Sequence, residues 1–374
     1  MTPPAPPLHG NAGEWSEAYV WCRLLADGYL DLADANLKAI AGRSQEVHGV
    51  CRREGNQVIQ HSIEGDEVIS INLTTKTEIA RVKRSELGAA ATRIIRAVVD
   101  QAGREQLTEL TYAIPSVEEL LRRHGFLSLP AASLDKADIQ VLRSDPRAPG
   151  VNPDGYSVKS RLGQASTLLN PGEKTNFRFR VEGPITAEMV EQINAIDTRP
   201  RTRNKLMALE DAGCTLVFDR VRGPIFQLNL EVIDSRLPEL VAHALLGYYR
   251  DGINSISDAA AMLLETNPMG YDLQRGHPFY DYKLKRLLQD VALGMRPESS
   301  VWDGVYDATA GYIVVREDGR LVAFNLYNLN AFQDYLFLNT KFDKPSEHRF
   351  DYGYLRQDEG ETYIDLCLQV RFIR

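Results

Sequence analysis

Two short alternating runs, separated by a turn-rich segment, constrain the fold of this chain more than any other feature. In Asp138-Ile139-Gln140-Val141, Ile139 and Val141 take one face while Asp138 and Gln140 take the other. In Gly155-Tyr156-Ser157-Val158-Lys159-Ser160, Tyr156 and Val158 share a face, which leaves Ser157 and Lys159 on the opposite one. Residues 144–154 between them are rich in Pro, Asp, Asn and Gly, the residues of turns. The economical reading is an antiparallel hairpin with a long tip. Its polar face gathers a carboxylate, a hydroxyl and an ammonium, a set suited to metal-dependent cleavage of a phosphodiester.

The chain has 374 residues, enough to bury one large core or two smaller ones. Lys+Arg 43 against Asp+Glu 51 leaves a net charge of -8, which argues against a nonspecific polyanion binder. It leaves room for a DNA enzyme, whose binding depends on a local basic cleft and whose metal site needs carboxylates. Cys22, Cys51, Cys214 and Cys367 form no CxxC pair and share no ligand spacing with the histidines, so a zinc site is not expected. Unpaired thiols, and an N-terminus with neither a basic nor an apolar targeting region, predict a soluble protein of the reducing cytoplasm. No apolar run approaches the length of a membrane span.

Along the chain, a Pro-rich tail precedes a helix with Trp15, Ala18, Tyr19, Cys22 and Leu25 on one face. Glu14 and Glu17 sit one turn apart beside that stripe. Acidic residues in a first turn complement the helix dipole, and this account competes with a ligand role at both positions, more strongly at Glu14. Strands are predicted within 45–73, a helix across 84–102, and a shorter helix with a capping box formed by Ser116 and Glu119. Beyond the hairpin, Thr175–Val181 alternates as a strand that places Arg178 and Arg180 outward, as phosphate contacts or as a solvated face. Helices are predicted at 186–196 and 202–212. The run from Arg199 to Lys205, with Arg201 and Arg203, is the densest basic stretch; it reads as a solvated helix entry or as a set of phosphate contacts. A strand at Phe226–Ile233, helices near 236–250, 257–266 and 281–294, and a hairpin about Glu317-Asp318-Gly319 follow. A helix near 331–338, a polar loop at 344–349 and a strand over 363–372 complete the reading. The softest point for a boundary is Gly183-Pro184.

Magnesium prefers one or two carboxylates with retained water and phosphate oxygens over a closed protein cage. Asp138 supplies one carboxylate, the carbonyl of Val158 is a second candidate donor, and Lys159 can orient water or stabilise charge. This is the PD-(D/E)xK nuclease plan with one departure. Ser157 occupies the place of the second acid, and a hydroxyl is a poor ligand for a hard cation. The missing carboxylate must come from elsewhere, with Glu17 and Glu173 as the candidates and Glu17 preferred. Asp154 is excluded, because Pro153-Asp154-Gly155 is better explained as turn chemistry.

Several segments in order extend this reading into a resemblance. Gly13-Glu14-Trp15-Ser16-Glu17-Ala18-Tyr19 with Leu24-Leu25-Ala26-Asp27-Gly28 resembles the opening of the HpaII-type restriction endonucleases. So do Gly155–Ser160 with Leu162-Gly163, Thr167–Asn170 and Thr175-Asn176-Phe177, then Trp302-Asp303-Gly304, Asp334-Tyr335-Leu336, Pro345-Ser346 with Arg349, and Leu368–Phe372. The resemblance implies an α/β (α+β) fold with a restriction-endonuclease-like mixed central sheet flanked by helices, and a C-terminal α+β region. On this plan residues 1–183 form the nuclease core and 184–374 contribute DNA recognition. It also implies a Mg²⁺-dependent type II enzyme cutting double-stranded DNA at CCGG, with a DNA cytosine methyltransferase protecting the host. Reading guanine in the major groove calls for Arg or Lys donors. Arg349, with Ser346, is the first candidate, and Arg199, Arg201 and Arg203 are backbone contacts. A palindromic site is most simply read by a homodimer. The serine at the acid position motivates an alternative, a DNA-binding protein on the same fold that has lost catalysis.

Overall fold

The stripe Trp15, Ala18, Tyr19, Cys22 and Leu25 becomes the buried face of the helix Ala12–Asp27. Asn11 caps it, accepting from the backbone of Gly13 and Glu14, while the Glu14 carboxylate accepts the Asn11 N–H at 2.7 Å. Glu14 therefore has a structural role. Gly28 ends the helix in the left-handed region at φ 73°, and its N–H closes on the Leu24 carbonyl at 2.9 Å. The computed structural model describes residues 6–102, 111–130, 137–145, 148–162, 165–297, 300–306 and 310–373. Within these the chain forms two compact units, the first from residues up to 166 with 306–335, the second from 167–305 with 336–373.

The first unit is built on a mixed sheet with nine strands among the described residues. At its centre the hairpin Ile139–Asp145 and Ala148–Ser160 pairs antiparallel, with Ile139 opposite Tyr156 and Val141 opposite Asp154. Ala148–Ser160 carries the strand Gly311–Val315 on its other edge in parallel register, and Leu321–Asn325 follows as the expected hairpin partner. On the opposite side the long strand Ala39–Glu54 pairs with Ile139–Asp145 and leads into a meander of Gln57–Glu64, Glu67–Asn72 and Thr77–Lys83. Ile139, Val141, Tyr156, Ile313 and Val315 form the floor on which the helices Ala12–Asp27 and Arg84–Ala102 pack. Alternation along each strand is what points these residues one way and Asp138, Ser157 and Lys159 the other.

The second unit is α+β. A four-stranded antiparallel sheet in the order Thr215–Val221, Asn176–Glu182, Glu361–Cys367, Leu355–Asp358 is joined by a small sheet of Thr167–Leu169, Val370–Phe372 and Thr340–Phe342. Helices Ala187–Asn194, Arg201–Asp211, Pro224–Ile233, Leu237–Asp251, Ile256–Thr266 and Phe279–Leu293 complete it.

Several expectations need correction. Residues 224–233 are helical, with Pro224 in the first turn and Phe226, Asn229 and Leu230 buried. Apolar and polar residues alternate strictly from Phe226 to Val232, the pattern of a strand, and the helix leaves Leu228 and Val232 exposed. The helix Pro115–Arg123 has Ile114 at its N-cap and no side-chain cap; Glu118 accepts the Leu8 N–H at 3.0 Å instead. The hairpin tip is shorter than the turn residues implied, since pairing runs on through Arg143 with Asn152 and Ser144 with Val151. Pro146 and Arg147 lie outside the described residues, as do Gly163 and the first five residues of the N-terminal tail. The C-terminal strand is two strands, Glu361–Cys367 and Val370–Phe372, which enter different sheets. The division also differs from a break at Gly183-Pro184. It falls after Ser166, and 306–335 returns to the first unit because Gly311–Val315 is needed to pair the free edge of the hairpin. No helix among the described residues is long and apolar enough to cross a membrane.

One buried polar chain in the first unit carries a consequence for stability. Ser70 Oγ lies 2.7 Å from His61 Nδ1 and 2.6 Å from His124 Nδ1, and both rings sit against Trp21. One hydroxyl can donate to only one of the two nitrogens, so the rings adopt opposite tautomers about Ser70. Burial holds both imidazoles neutral, and the His124 ring is pushed down to about 4. The unfolded chain therefore takes up protons that the folded chain refuses, so this contribution is full above pH 6.5 and is lost as pH falls toward 4. Urea unfolding near neutrality and near pH 5 should show wild type losing about 2 kcal/mol more than His124→Asn. Equal losses in the two proteins would refute the assignment.

Candidate active site

The pairing of Ile139–Asp145 with Ala148–Ser160 ends at Ile139 and Tyr156, and the next residue back is Asp138. Its side chain takes over where the ladder stops, Oδ2 accepting the Val158 N–H at 2.7 Å. In a strand the N–H and C=O of one residue point to the same edge. The Val158 carbonyl thus faces the edge that Asp138 has occupied.

Asp138, Val158 and Lys159 line a cleft of about 260 Å³ together with Ala12, Gly13, Ser16 and Glu17 from the first helix. The helix contributes through its opening turns, which Asn11 caps and whose Ser16 hydroxyl returns a bond to the Ala12 carbonyl at 2.7 Å. Burial raises the Glu17 carboxyl to about 8, Asp138 adds repulsion, and Arg52 and Lys159 act in the opposite sense. Asp138 is likewise raised by burial, against the pull of the Lys159 ammonium and the Val158 N–H. Two carboxyls that resist ionising together, beside a backbone carbonyl, are a donor set that a divalent cation would relieve. No group of three or more His, Cys, Asp or Glu is assembled for a metal among the described residues. The set fits a hard cation that keeps water and phosphate oxygens, and does not suit a closed cage.

The first helix brings Glu17 to the same cleft as Asp138 and Lys159. Glu173 stands in the second unit, on the single turn Glu173–Thr175, outside the lining of the cleft. Ser157 is buried and does not line the cleft; it lies in register beside Tyr312, whose ring centroid is 5.3 Å from the Lys159 ammonium. Asp154 is ion-paired to buried Arg143, a structural role that agrees with its exclusion as a ligand.

In the second unit, Arg199 and Arg201 line one groove with Lys344, Ser346, His348 and Tyr354, so two segments far apart in sequence meet. Ser346 caps the short helix Glu347–Phe350 by accepting the Arg349 N–H at 3.4 Å, and Arg349 is exposed, 5.1 Å from the Phe350 ring centroid. Glu347 ties this segment to the basic run, accepting from Thr202 at 2.6 Å and pairing with Lys344 at 2.5 Å. Lys344, His348 and Tyr354 were not singled out from sequence as contacts; no local pattern distinguishes them, and only their convergence with Arg199 and Arg201 does.

Three expected phosphate contacts are engaged elsewhere. Arg178 bonds Asp365 at 3.1 Å and stacks over Tyr363 at 5.2 Å, because the ladder sets it opposite Asp365. Arg180 bonds Glu182 at 2.5 Å. Lys205 is 2% exposed, donates to the Gly353 carbonyl at 3.0 Å and lies over Tyr354, while Arg203 beside it is exposed. Lys205→Met should cost about 1–3 kcal/mol in urea unfolding, by orphaning the Gly353 carbonyl, against under about 0.5 for Arg203→Ala. A Lys205→Met protein of full stability that had lost DNA affinity would restore the contact role.

Comparison with known proteins places the chain. The family model described as HpaII restriction endonuclease matches residues 11–372. The type II restriction enzyme HpaII of Haemophilus parainfluenzae is 37% identical over 365 residues, covering 97% of this chain and 98% of that protein. No solved structure matches the chain at a significant level. With a capped helix delivering an acid to a strand-borne Asp and Lys, and with both the family and a full-length relative in agreement, the chain belongs to the HpaII restriction endonuclease family and is a type II restriction enzyme.

Proposed function

We propose that this enzyme cuts double-stranded DNA at CCGG by Mg²⁺-dependent hydrolysis, at the cleft formed by Asp138, Glu17, the Val158 carbonyl and Lys159. The observation that carries the reading is the placement of two half-buried carboxyls and an ammonium around one cleft at the end of the hairpin ladder. Asp138, Glu17 and the Val158 carbonyl would hold the cation, which supplies Lewis acidity and lowers the pKa of water when bound. Lys159 places positive charge where the pentavalent phosphorus centre builds negative charge, and its position above Tyr312 limits its freedom to leave. Asp138 is held in its rotamer by the Val158 N–H, so little reorganisation is needed at the moment of reaction.

The specificity proposed for CCGG rests on the family, to which the HpaII enzyme belongs, and on a groove lined by basic side chains. Arg349 with Ser346 are the first candidates for base contacts. Arg199, Arg201 and exposed Arg203 would bind the backbone. A homodimer suits a palindromic target, and a cytosine methyltransferase acting on CCGG is the partner activity that would protect the host's own sites.

Purified enzyme with Mg²⁺ should cut plasmid DNA to discrete fragments whose sequenced ends fall within CCGG, and cytosine methylation in that sequence should block the digestion. Asp138→Ala and Lys159→Ala should each reduce cleavage by at least about a hundredfold while retaining the wild-type unfolding transition. Full activity in both variants would remove this cleft from consideration. Band shifts on CCGG duplexes without cleavage under any divalent cation would favour the catalytically inactive reading.

A further inference from the structure

Arg52 and Arg53 are consecutive, and the strand Ala39–Glu54 sends them to opposite faces of the sheet. Arg52 turns toward the first helix and is buried. Its guanidinium pairs with Glu54, donates to the carbonyls of Ser128 at 2.8 Å and Leu129 at 2.6 Å, and lies 4.1 Å from the Phe126 ring centroid. Arg53 is exposed on the other face.

The register shows what shares that face. Cys51 is paired with Gln140, and Gln140 with Gly155; two residues further on, on the same face, the three strands carry Arg53, Asp138 and Ser157, and Ser157 is paired with Tyr312. Pairing between Ala39–Glu54 and Ile139–Asp145 stops at Cys51 and Gln140. Past that point the two strands part around a small cavity lined by Arg52, Arg53, Asp138, Gln140 and Glu17. Arg53 thus stands on one side of Asp138 and Lys159 on the other. Two strand spacings, at least about 10 Å, separate their backbones. That exceeds the distance between successive phosphates of one DNA strand, so the two side chains meet different phosphates.

We propose that Arg53 binds a phosphate of the strand being cut, a few nucleotides from the scissile one and on the side of Asp138 away from Lys159. This rests on the reading of Asp138 and Lys159 as the cleavage site. A planar guanidinium with several donors suits a phosphate, and an exposed arginine in line with the reacting phosphate extends the cationic track without adding charge to the metal site. Arg53 acts here as a contact that fixes the register of the strand over Asp138.

The test measures binding of a CCGG duplex across a salt titration, in the Asp138→Ala background so that no substrate is consumed. Adding Arg53→Ala should weaken binding roughly tenfold at low salt and make the slope of log affinity against log salt shallower by about 1. Arg53→Lys should keep the slope, and Arg96→Ala, on the helix Arg84–Ala102 behind the sheet, should change neither quantity. In the otherwise wild-type enzyme Arg53→Ala should slow cleavage at limiting DNA. An Arg53→Ala protein with a wild-type slope and wild-type cleavage overturns the inference while leaving the cleavage site in place. If Asp138→Ala itself cuts like wild type, the site reading falls, and this contact with it.

Discussion

The hydrogen bond from the Val158 N–H to the Asp138 carboxylate is the interaction on which the site depends. It stands where the next rung of the ladder would be. A backbone pair there would have satisfied the amide and turned the Val158 carbonyl away from any ligand. With a carboxylate in that position, the strand end becomes a polar edge, and the acid is fixed against the strand that carries Lys159. The same bond helps Asp138 ionise in a setting where burial opposes it. Structure and chemistry are joined in one contact: the residue that ends the pairing is the residue that would begin the metal site.

The first helix completes what the hairpin lacks. Its position follows from a wide apolar face, with Trp15, Tyr19, Trp21 and Leu25 buried on the sheet and its neighbours, so Glu17 is carried into the cleft as a passenger of hydrophobic packing. Burial then pushes the Glu17 carboxyl up to about 8. A carboxyl raised in this way is one whose ionised form a bound cation would stabilise. Arg52 offsets part of the rise from the helix side of the sheet.

The second unit illustrates how misleading charge counts along a sequence are. Of the basic run from Arg199 to Lys205, Arg199 and Arg201 reach a groove, Arg203 faces solvent, and Lys205 is consumed in holding Gly353 and Tyr354. Helical geometry decides this. Residues two apart point to nearly opposite sides of a helix, so Arg203 turns away from Arg201 and Lys205; those two share a face, and packing against Tyr354 takes Lys205. Arg178 and Arg180 were likewise drawn into ion pairs by strand register and by a neighbouring acid.

The sequence by itself determined the local elements whose periodicity is strong: the amphipathic helices at Ala12–Asp27 and Arg84–Ala102, the strands within 45–73, and the alternation that sets Asp138 and Lys159 apart from Ile139 and Tyr156; the strand Thr77–Lys83 was not read from it. It also revealed that Ser157 leaves the hairpin one carboxylate short, because a ligand's chemistry is visible in the residue type alone. Tertiary structure decided the rest. Only packing could choose Glu17 over Glu173, since both are single acids at unremarkable spacing. Only a parallel pairing across some 150 residues could bring Gly311–Val315 to the hairpin and place Tyr312 beneath Lys159, and parallel partners leave no mark on either strand. The helix at Pro224–Ile233 was hidden for a related reason. Its residues alternate apolar and polar from Phe226 to Val232 as a half-buried strand would, and only packing on Phe226 and Leu230 decides for a helix.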